Sequence, residues 1–247
     1  MSGASSADIE RIERAIVAAV APPEVEELGG WIVGYDNGTV SRARSAAPLR
    51  HDGVDATAVG EIVSRYARRA IEPTFRIPET PALVDVENAL ASEGLQPGQP
   101  TQVQVARASE IAAGLDRSVR VDGEADEAWA AVFLGPGFDP VDGASRVHTF
   151  RRAKGSLYAS IREDDVVVAA GVLAFGFGWA SIHGMRTAQT HRGRGLAARV
   201  LSALAHQAIE RGYDNLMLQV ERENRPAQRL YARCGFRSLW TYLYWRR

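Results

Sequence analysis

Apolar positions along the chain change period repeatedly, and each change marks an expected element. Ile9, Ile12, Ile16, Val17 and Val20 recur at helical spacing, and Pro22-Pro23 stops the helix they predict. Trp31 to Tyr35 is apolar and extended. Asp36-Asn37-Gly38 is a turn signal, and Thr39-Val40 is expected to begin the return strand. A second helix is expected from about Thr57, with Val59, Ile62, Val63, Tyr66 and Ala70 inward and Pro73 beyond its end. Thr74 to Ile77 reads as a strand. Leu83, Val86, Ala89 and Leu90 give a third helix, capped by Gly94. Leu95 to Pro100 is rich in turn formers, and Val103 to Ala106 is a strand.

From Ala112 to Ala125 the period is lost, as in a linker. Glu124 to Leu134 then predicts a helix with Trp129, Val132 and Phe133 inward, and Asp142 to Arg152 a further one. Leu157 to Arg162 and Val166 to Phe175 make a hairpin across Glu163-Asp164-Asp165. A strand from Trp179 runs into the basic, glycine-rich stretch Thr190 to Ala198. Ala197, Val200, Leu201, Leu204 and Ala208 follow as one helical stripe, and Gly212 sits where a cap belongs. Tyr213 to Val220 alternates as a strand. Asn224 is a good N-cap for a helix with Ala227, Leu230, Tyr231 and Cys234 on one face, and Phe236 opens a last strand after Gly235.

The junction at Thr190 to Ala198 has a physical use. The first turn of a helix leaves backbone N–H groups without partners, and the dipole adds positive charge there. Glycine lets a ligand approach the backbone closely. Such a junction suits phosphate, with Arg192 and Arg194 adding full charge. A solvated loop with no ligand is the alternative for this short motif taken alone.

Two motifs in order narrow the choice. Arg192-x-x-Gly195-x-Ala197 precedes Asn224-x-x-Ala227-x-x-Leu230-Tyr231-x-x-x-Gly235-Phe236 on a strand–turn–helix–strand–helix–strand frame. Here the chain resembles the GNAT superfamily of acyl-CoA-dependent N-acyltransferases. Gln189 stands where the family often has proline, which affects only the shape of the turn. The resemblance covers about half the chain well. It implies an α/β (α+β) fold: a GNAT fold in the C-terminal half, with a mixed central sheet flanked by helices, beside a smaller α+β domain. The expected boundaries are residues 1–110 for the N-terminal domain, 111–123 for the linker and 124–247 for the acetyltransferase domain.

The resemblance also implies a ligand, acetyl-CoA or another acyl-CoA, and a transfer of the acetyl group to a primary amine by direct attack in a ternary complex. Its pyrophosphate would meet the N–H groups of Arg192, Gly193, Arg194, Gly195, Leu196 and Ala197. Its pantetheine arm would lie against Met185, Arg186 and Thr187 and face Asn224, which caps its helix in either case. Tyr231 matches the family's usual general acid; its alternative is a core tyrosine. His183 is the first candidate for a general base, since its reference pKa is near neutrality. Glu221, Glu163 and a water relay are the others. A sensor that binds acyl-CoA without turnover is the competing function.

The N-terminal half repeats the order strand, turn, helix, strand, helix, glycine, strand. Its turn, Arg50 to Asp55, keeps the Arg-x-x-Gly spacing but places Asp52 and Asp55 where a pyrophosphate would be repelled. Two readings stay open for it: a degenerate GNAT-like copy without cofactor, and an unrelated α+β domain. The aromatic tail Trp240, Tyr242, Tyr244 and Trp245 can line an acceptor pocket or belong to the core.

Composition changes little in this picture. At 46% hydrophobic and 24% charged, the 247 residues can build a core. A net charge of −1 without a long basic run does not suggest nucleic acid. Five histidines and the single Cys234 show no ligand spacing, so no metal is expected. One cysteine also excludes an intrachain disulfide and fits a reducing, cytoplasmic compartment. Ser2 to Ala7 lacks a basic region followed by an apolar core, so no signal peptide is expected. The apolar run Val166 to Ala180 is too short and too glycine-rich for a membrane helix, so no membrane partner is expected. The acceptor, a small molecule or a peptide amine, and the oligomeric state are not encoded in any motif.

Overall fold

A computed structural model describes residues 5–112 and 116–247. In chain order the N-terminal half forms α1 (Ser6–Val20), β1 (Glu24–Leu28), β2 (Trp31–Tyr35), β3 (Ala46–Pro48), α2 (Ala58–Arg68), β4 (Phe75–Pro78), α3 (Val84–Ser92), β5 (Gln96–Arg107) and α4 (Ala108–Ile111). The C-terminal half forms β6 (Val119–Asp122), α5 (Glu127–Ala131), α6 (Pro140–Arg152), β7 (Leu157–Glu163), β8 (Val166–Gly176), β9 (Trp179–Thr187), α7 (Leu196–Glu210), β10 (Asn215–Glu221), α8 (Arg225–Arg233) and β11 (Arg237–Arg246). Among the described residues no helix is long and apolar enough to cross a membrane.

All eleven strands form one mixed sheet, in the order β1-β2-β3-β4-β11-β5-β10-β9-β8-β7-β6. The two halves are interlocked at its centre. β5, from the N-terminal half, lies between β10 and β11, and β11 lies between β4 and β5. On each side of this central pair the same sequence of relations recurs. β4 is antiparallel to β11 and parallel to β3; β10 is antiparallel to β5 and parallel to β9. The outer strands β2 and β8 then continue antiparallel.

Strand alternation sends side chains to two helical layers. Leu216 and Leu218 join Val200, Leu201 and Leu204 of α7 and Tyr231 of α8. Met217 of the same strand faces the other way, with Val103, Val105, Tyr242 and Tyr244 against Ile12 and Ile16 of α1. On α1's side, Trp129, Phe133 and Phe150 of the α5–α6 region pack on Tyr158, Ala170 and Val172. α2 and α3 cover the remaining N-terminal strands through Val59, Ile62, Tyr66, Val86 and Leu90.

Several expectations need amendment. β1 has no alternating pattern to betray it: Glu24, Glu26 and Glu27 are drawn to Arg69, Arg65 and Arg14. Charge suits it to the sheet edge, where unpaired backbone must be kept from other chains. The return strand after β2 is β3, not Thr39-Val40, because a single 3₁₀ turn, Ser41–Arg44, intervenes. Gln96 to Pro100 is strand rather than turn. Its two prolines are tolerated because this stretch pairs only with β11, and pairing with β10 begins at Thr101. In the stretch read as linker, Val119–Asp122 forms the edge strand β6 on β7. Residues 113–115 of that stretch lie outside the described residues.

The interlock predicts how fragments behave. A fragment of residues 111–247 lacks β5, so β10 and β11 lose their shared neighbour and Val103 and Val105 leave the core around Met217. It should show no cooperative thermal transition alone and regain one when mixed with residues 1–110. A fragment that melts cooperatively by itself would contradict the shared sheet.

One buried and one half-buried histidine, His183 and His51, give a second prediction. Burial holds His51, edge-on to Trp240 with ring centroids 4.8 Å apart, down to about 4. Burial, with the Arg42 guanidinium nearby, holds His183 well below the usual range. Both are neutral in the fold and titrate normally when unfolded, so the unfolded chain binds more protons below pH ~6.5. Their contribution to stability is complete above that pH and lost as the pH falls, by about 2 kcal/mol for His51 at pH 5. The melting temperature should therefore drop between pH 7.5 and 5.0, and drop less in His51→Gln. Equal drops in the two proteins would sink the assignment for His51.

Candidate active site

Parallel pairing between β9 and β10 is short. It joins Leu216 to Ala180, Met217 to Ser181 and Leu218 to Ile182, and then the strands part. β9 continues along β8 to Thr187, so the edge it turned toward β10 is unpaired beyond Ile182. A register shift opposite Ala170 to Val172 marks a bulge where they part, with Gly184 at φ +57°. A Cβ at Gly184 would stand 2.8 Å from the Phe150 ring, so both conformation and space select glycine.

The basic turn lies at the end of β9. Gly193 and Gly195 have φ +78° and +76°, and Gly195 is the N-cap of α7. The N–H groups of Gly193, Arg194, Gly195, Leu196 and Ala197 donate to no acceptor among the described residues. All of these residues but Arg194 border a cavity of about 720 Å³. Met185, Arg186 and Thr187 form one wall of it, Arg192, Gly193 and Gly195 to Ala197 its closed end, and Asn224 and Tyr231 the facing wall. The structure thus brings together every expected ligand-binding residue except the Arg194 side chain. That guanidinium is drawn away to Glu163, with contacts of 2.7 and 3.2 Å.

Further residues line this cavity that were not singled out from the sequence, among them Phe138, Arg229 and Arg233. Arg229 and Arg233 lie one turn apart on α8 and carry no ion pair among the described residues, and Arg192 lies 5.9 Å from the Phe138 ring. The spacing Pro226, Arg229, Leu230, Arg233 on one helical face was a usable signal. Free N–H groups, a helix N-terminus and the four arginines Arg186, Arg192, Arg229 and Arg233 suit a polyanionic ligand such as a phosphorylated nucleotide.

A second cavity, of about 290 Å³, opens on the α1 face of the sheet. Met185, Arg186, Asn224 and Tyr231 line both cavities, which therefore meet where β9 and β10 part. Asn224 caps α8, its Oδ1 accepting from the Ala227 N–H at 3.2 Å. Tyr231 is 7% exposed, and burial pushes its hydroxyl up to about 12.

His183 lines the second cavity. Its Nε2 is 2.5 Å from Ser181 Oγ, while its Nδ1 is buried without a partner. With its pKa so depressed, it carries no second proton, and so no charge, at neutral pH. Glu221 lines the same cavity and accepts from Gln99 Nε2 at 2.8 Å. Glu163 lines neither cavity and is held below the usual carboxylate range by Arg194. Of the aromatic tail, Tyr242 and Tyr244 border the second cavity with hydroxyls 3.4 Å apart. Trp240 instead packs on His51, and Trp245 joins the N-terminal core. Both readings of the tail thus apply, to different residues. Among the described residues no group of three His, Cys, Asp or Glu side chains could hold a metal ion.

Known proteins match this arrangement. Residues 125–236 match the model of the acetyltransferase (GNAT) family. An uncharacterized N-acetyltransferase of Bacillus subtilis, YobR, is 23% identical over 235 residues, which span 93% of this chain and 94% of that protein. A GCN5-related N-acetyltransferase from Kribbella flavida superposes with a TM-score of 0.71 at 19% identity, covering 96% of this chain and 95% of its own. A tandem GNAT protein from the clavulanic acid biosynthesis pathway superposes with a TM-score of 0.62 at 15% identity, over 99% of this chain and 89% of its own. The matched span contains the parted strands, the glycine turn and Tyr231, so residues 125–236 carry an acetyltransferase domain of the GNAT family.

Proposed function

We propose that the protein transfers an acetyl group from acetyl-CoA to a small primary amine, by direct attack with both substrates bound. The observation that carries this reading is the run of five undirected N–H groups, Gly193 to Ala197, at one end of a cavity whose other end meets a second one at Tyr231. The pyrophosphate is assigned to those N–H groups, and other phosphate to Arg192, Arg229 and Arg233. The pantetheine amides are assigned to the unpaired edge of β9 at Met185 to Thr187, and Asn224 to the facing side. The thioester then reaches the gap between β9 and β10, where strand N–H groups can stabilise the developing oxyanion.

Tyr231 serves as donor to the departing sulfur. A phenol near 12 facing a thiol of reference pKa about 8.5 makes complete proton transfer uphill by about 5 kcal/mol. Its contribution is a hydrogen bond to the thiolate as it leaves. His183 acts as a neutral hydrogen-bonding wall, and the ammonium proton leaves through Glu221 or water.

Residues 1–110 read as a degenerate copy of the GNAT domain. The recurrent strand relations about β5 and β11 support this, as does the tandem architecture named for one structural neighbour. At the corresponding turn the groups are already satisfied: Arg50 pairs with Asp52 at 3.2 Å, and Asp55 accepts from the Thr57 backbone at 2.9 Å. One ligand site per chain follows.

Calorimetry should accordingly find one acetyl-CoA per chain, with binding abolished in Gly195→Asp, which fills the turn and adds negative charge. A folded parent that binds none would overturn the acetyltransfer reading, and two equivalents would overturn the degenerate copy. Tyr231→Phe should lower kcat about 10²-fold with acetyl-CoA affinity unchanged. Neither Tyr231 nor His183 changes charge between pH 6.5 and 10, so kcat/KM should rise with pH as the amine deprotonates. Activity of Tyr231→Phe within a few-fold of the parent removes its role, and an acidic limb near pH 6.5 that is independent of the amine restores His183 as base.

A further inference from the structure

The second cavity is more basic than acetyl transfer to an amine requires. Arg42, Arg146 and Arg186 line it, against one lining carboxylate, Glu221. An amine acceptor is itself a cation at neutral pH, and three guanidinium groups around it would repel it.

The surroundings do not neutralise these charges. Among the described residues Asp142 is the only carboxylate paired with them, and it is shared. Its Oδ2 lies 2.6 Å from Arg146 and 3.8 Å from Arg186, and its Oδ1 accepts from Thr39 Oγ1 at 2.7 Å. Arg42 has no ion-pair partner among the described residues, and its Nε is buried with no acceptor. Leaving such a group unsatisfied is costly unless something occupies the site.

Arg42 is also held in place. Its loop is fastened to α6 through Thr39 N–H to Ser145 Oγ at 2.9 Å, and through an ion pair between Asp36 and Arg152. The N-terminal half thereby presents a free, oriented cation to a cavity of the C-terminal half.

We propose that the acceptor is a small amine that also carries an anion, a carboxylate or a phosphate, and that Arg42, flanked by Arg146 and Arg186, receives that anion. This rests on the acetyltransfer reading above. The amine end then lies toward Glu221 and Tyr231, beside the thioester. The volume of about 290 Å³ matches an amino acid or a small phosphoamine, at the low end of small-molecule sites. Arginine's planar fork suits either anion.

The test compares matched acceptors by CoA thiol release. One arm sets amino acids against their amides; the other sets phosphoethanolamine against ethanolamine. The anionic member of at least one arm should be favoured by about 10²-fold in kcat/KM. Arg42→Gln should remove about 10- to 100-fold of that preference through KM for the acceptor, leaving KM for acetyl-CoA and the neutral amine within a few-fold. Arg42→Lys, which keeps the charge and loses the fork, should fall between. An equal preference for neutral amines overturns the proposal, as does an equal loss for both members in Arg42→Gln. So does a parent that binds acetyl-CoA and acetylates no anionic amine. Failure to bind acetyl-CoA is a separate result, and defeats the acetyltransfer reading itself.

Discussion

Three residue pairs hold β9 to β10, and the site exists because pairing stops there. In a parallel sheet, strands that keep their register bury every backbone group in the ladder. Here the ladder ends at Ile182 and Leu218, and the bulge at Gly184 turns β9 away while β8 still holds its other edge. Phe150 and Phe133 pack so close to Gly184 that a side chain at that point would have to displace an aromatic ring. Aromatic packing under one strand therefore keeps a gap open between two. Everything chemically useful lies along that gap: an unpaired strand edge, the glycine turn at its end and Tyr231 across it.

The interlock at the sheet centre extends this constraint to the other half of the chain. Because β5 separates β10 from β11, the wall of the second cavity is drawn from β5, β10 and β11 together. Gln99 and Thr101, Gln219 and Glu221, and Tyr242 and Tyr244 are its contributions. The prolines of β5 restrict Gln96 to Pro100 to pairing on one side, which frees the region of Gln99 to face the cavity. The loop that ends in Arg42 is fastened to α6 and completes the enclosure. Whatever its own turn binds, the N-terminal half still supplies part of the second cavity's lining. That explains why it can keep its architecture while its own turn carries Asp52 and Asp55.

Much of this was legible in the sequence, and the part that was not has a common cause. Elements of the C-terminal half could be read because amphipathic period, glycine and cap residues agree there: Gly195, Gly212, Asn224 and Gly235 stand where helices begin and end. The nucleotide-type cavity was legible for the same reason, since its residues are local to one turn and two helices. Arg42, Arg146, Gln219 and the pairing of β5 with β11 were not, because each depends on a contact across more than a hundred residues. β1 escaped because an edge strand protected by glutamates has no apolar alternation to show. His183 has the right chemistry for a base in sequence, but burial beside Arg42 removes its proton affinity.

The charges around the site are arranged in a consistent order. Cations stand at the ends of both cavities: Arg192, Arg229 and Arg233 on one side, Arg42 and Arg146 on the other. Near the meeting point Tyr231, Asn224 and His183 are uncharged, the first and last because burial pushes one pKa up and the other down, and Arg186, which lines both cavities, brings a formal charge there. A further formal charge buried there would demand a counter-ion, as Arg186 has in Asp142 at 3.8 Å. Fixed N–H dipoles avoid that demand, because they favour an oxyanion when it forms without binding a permanent charge beforehand. Formal charge thus gathers mainly at the far ends of the two cavities, and apart from Arg186 the groups named at their junction are neutral dipoles.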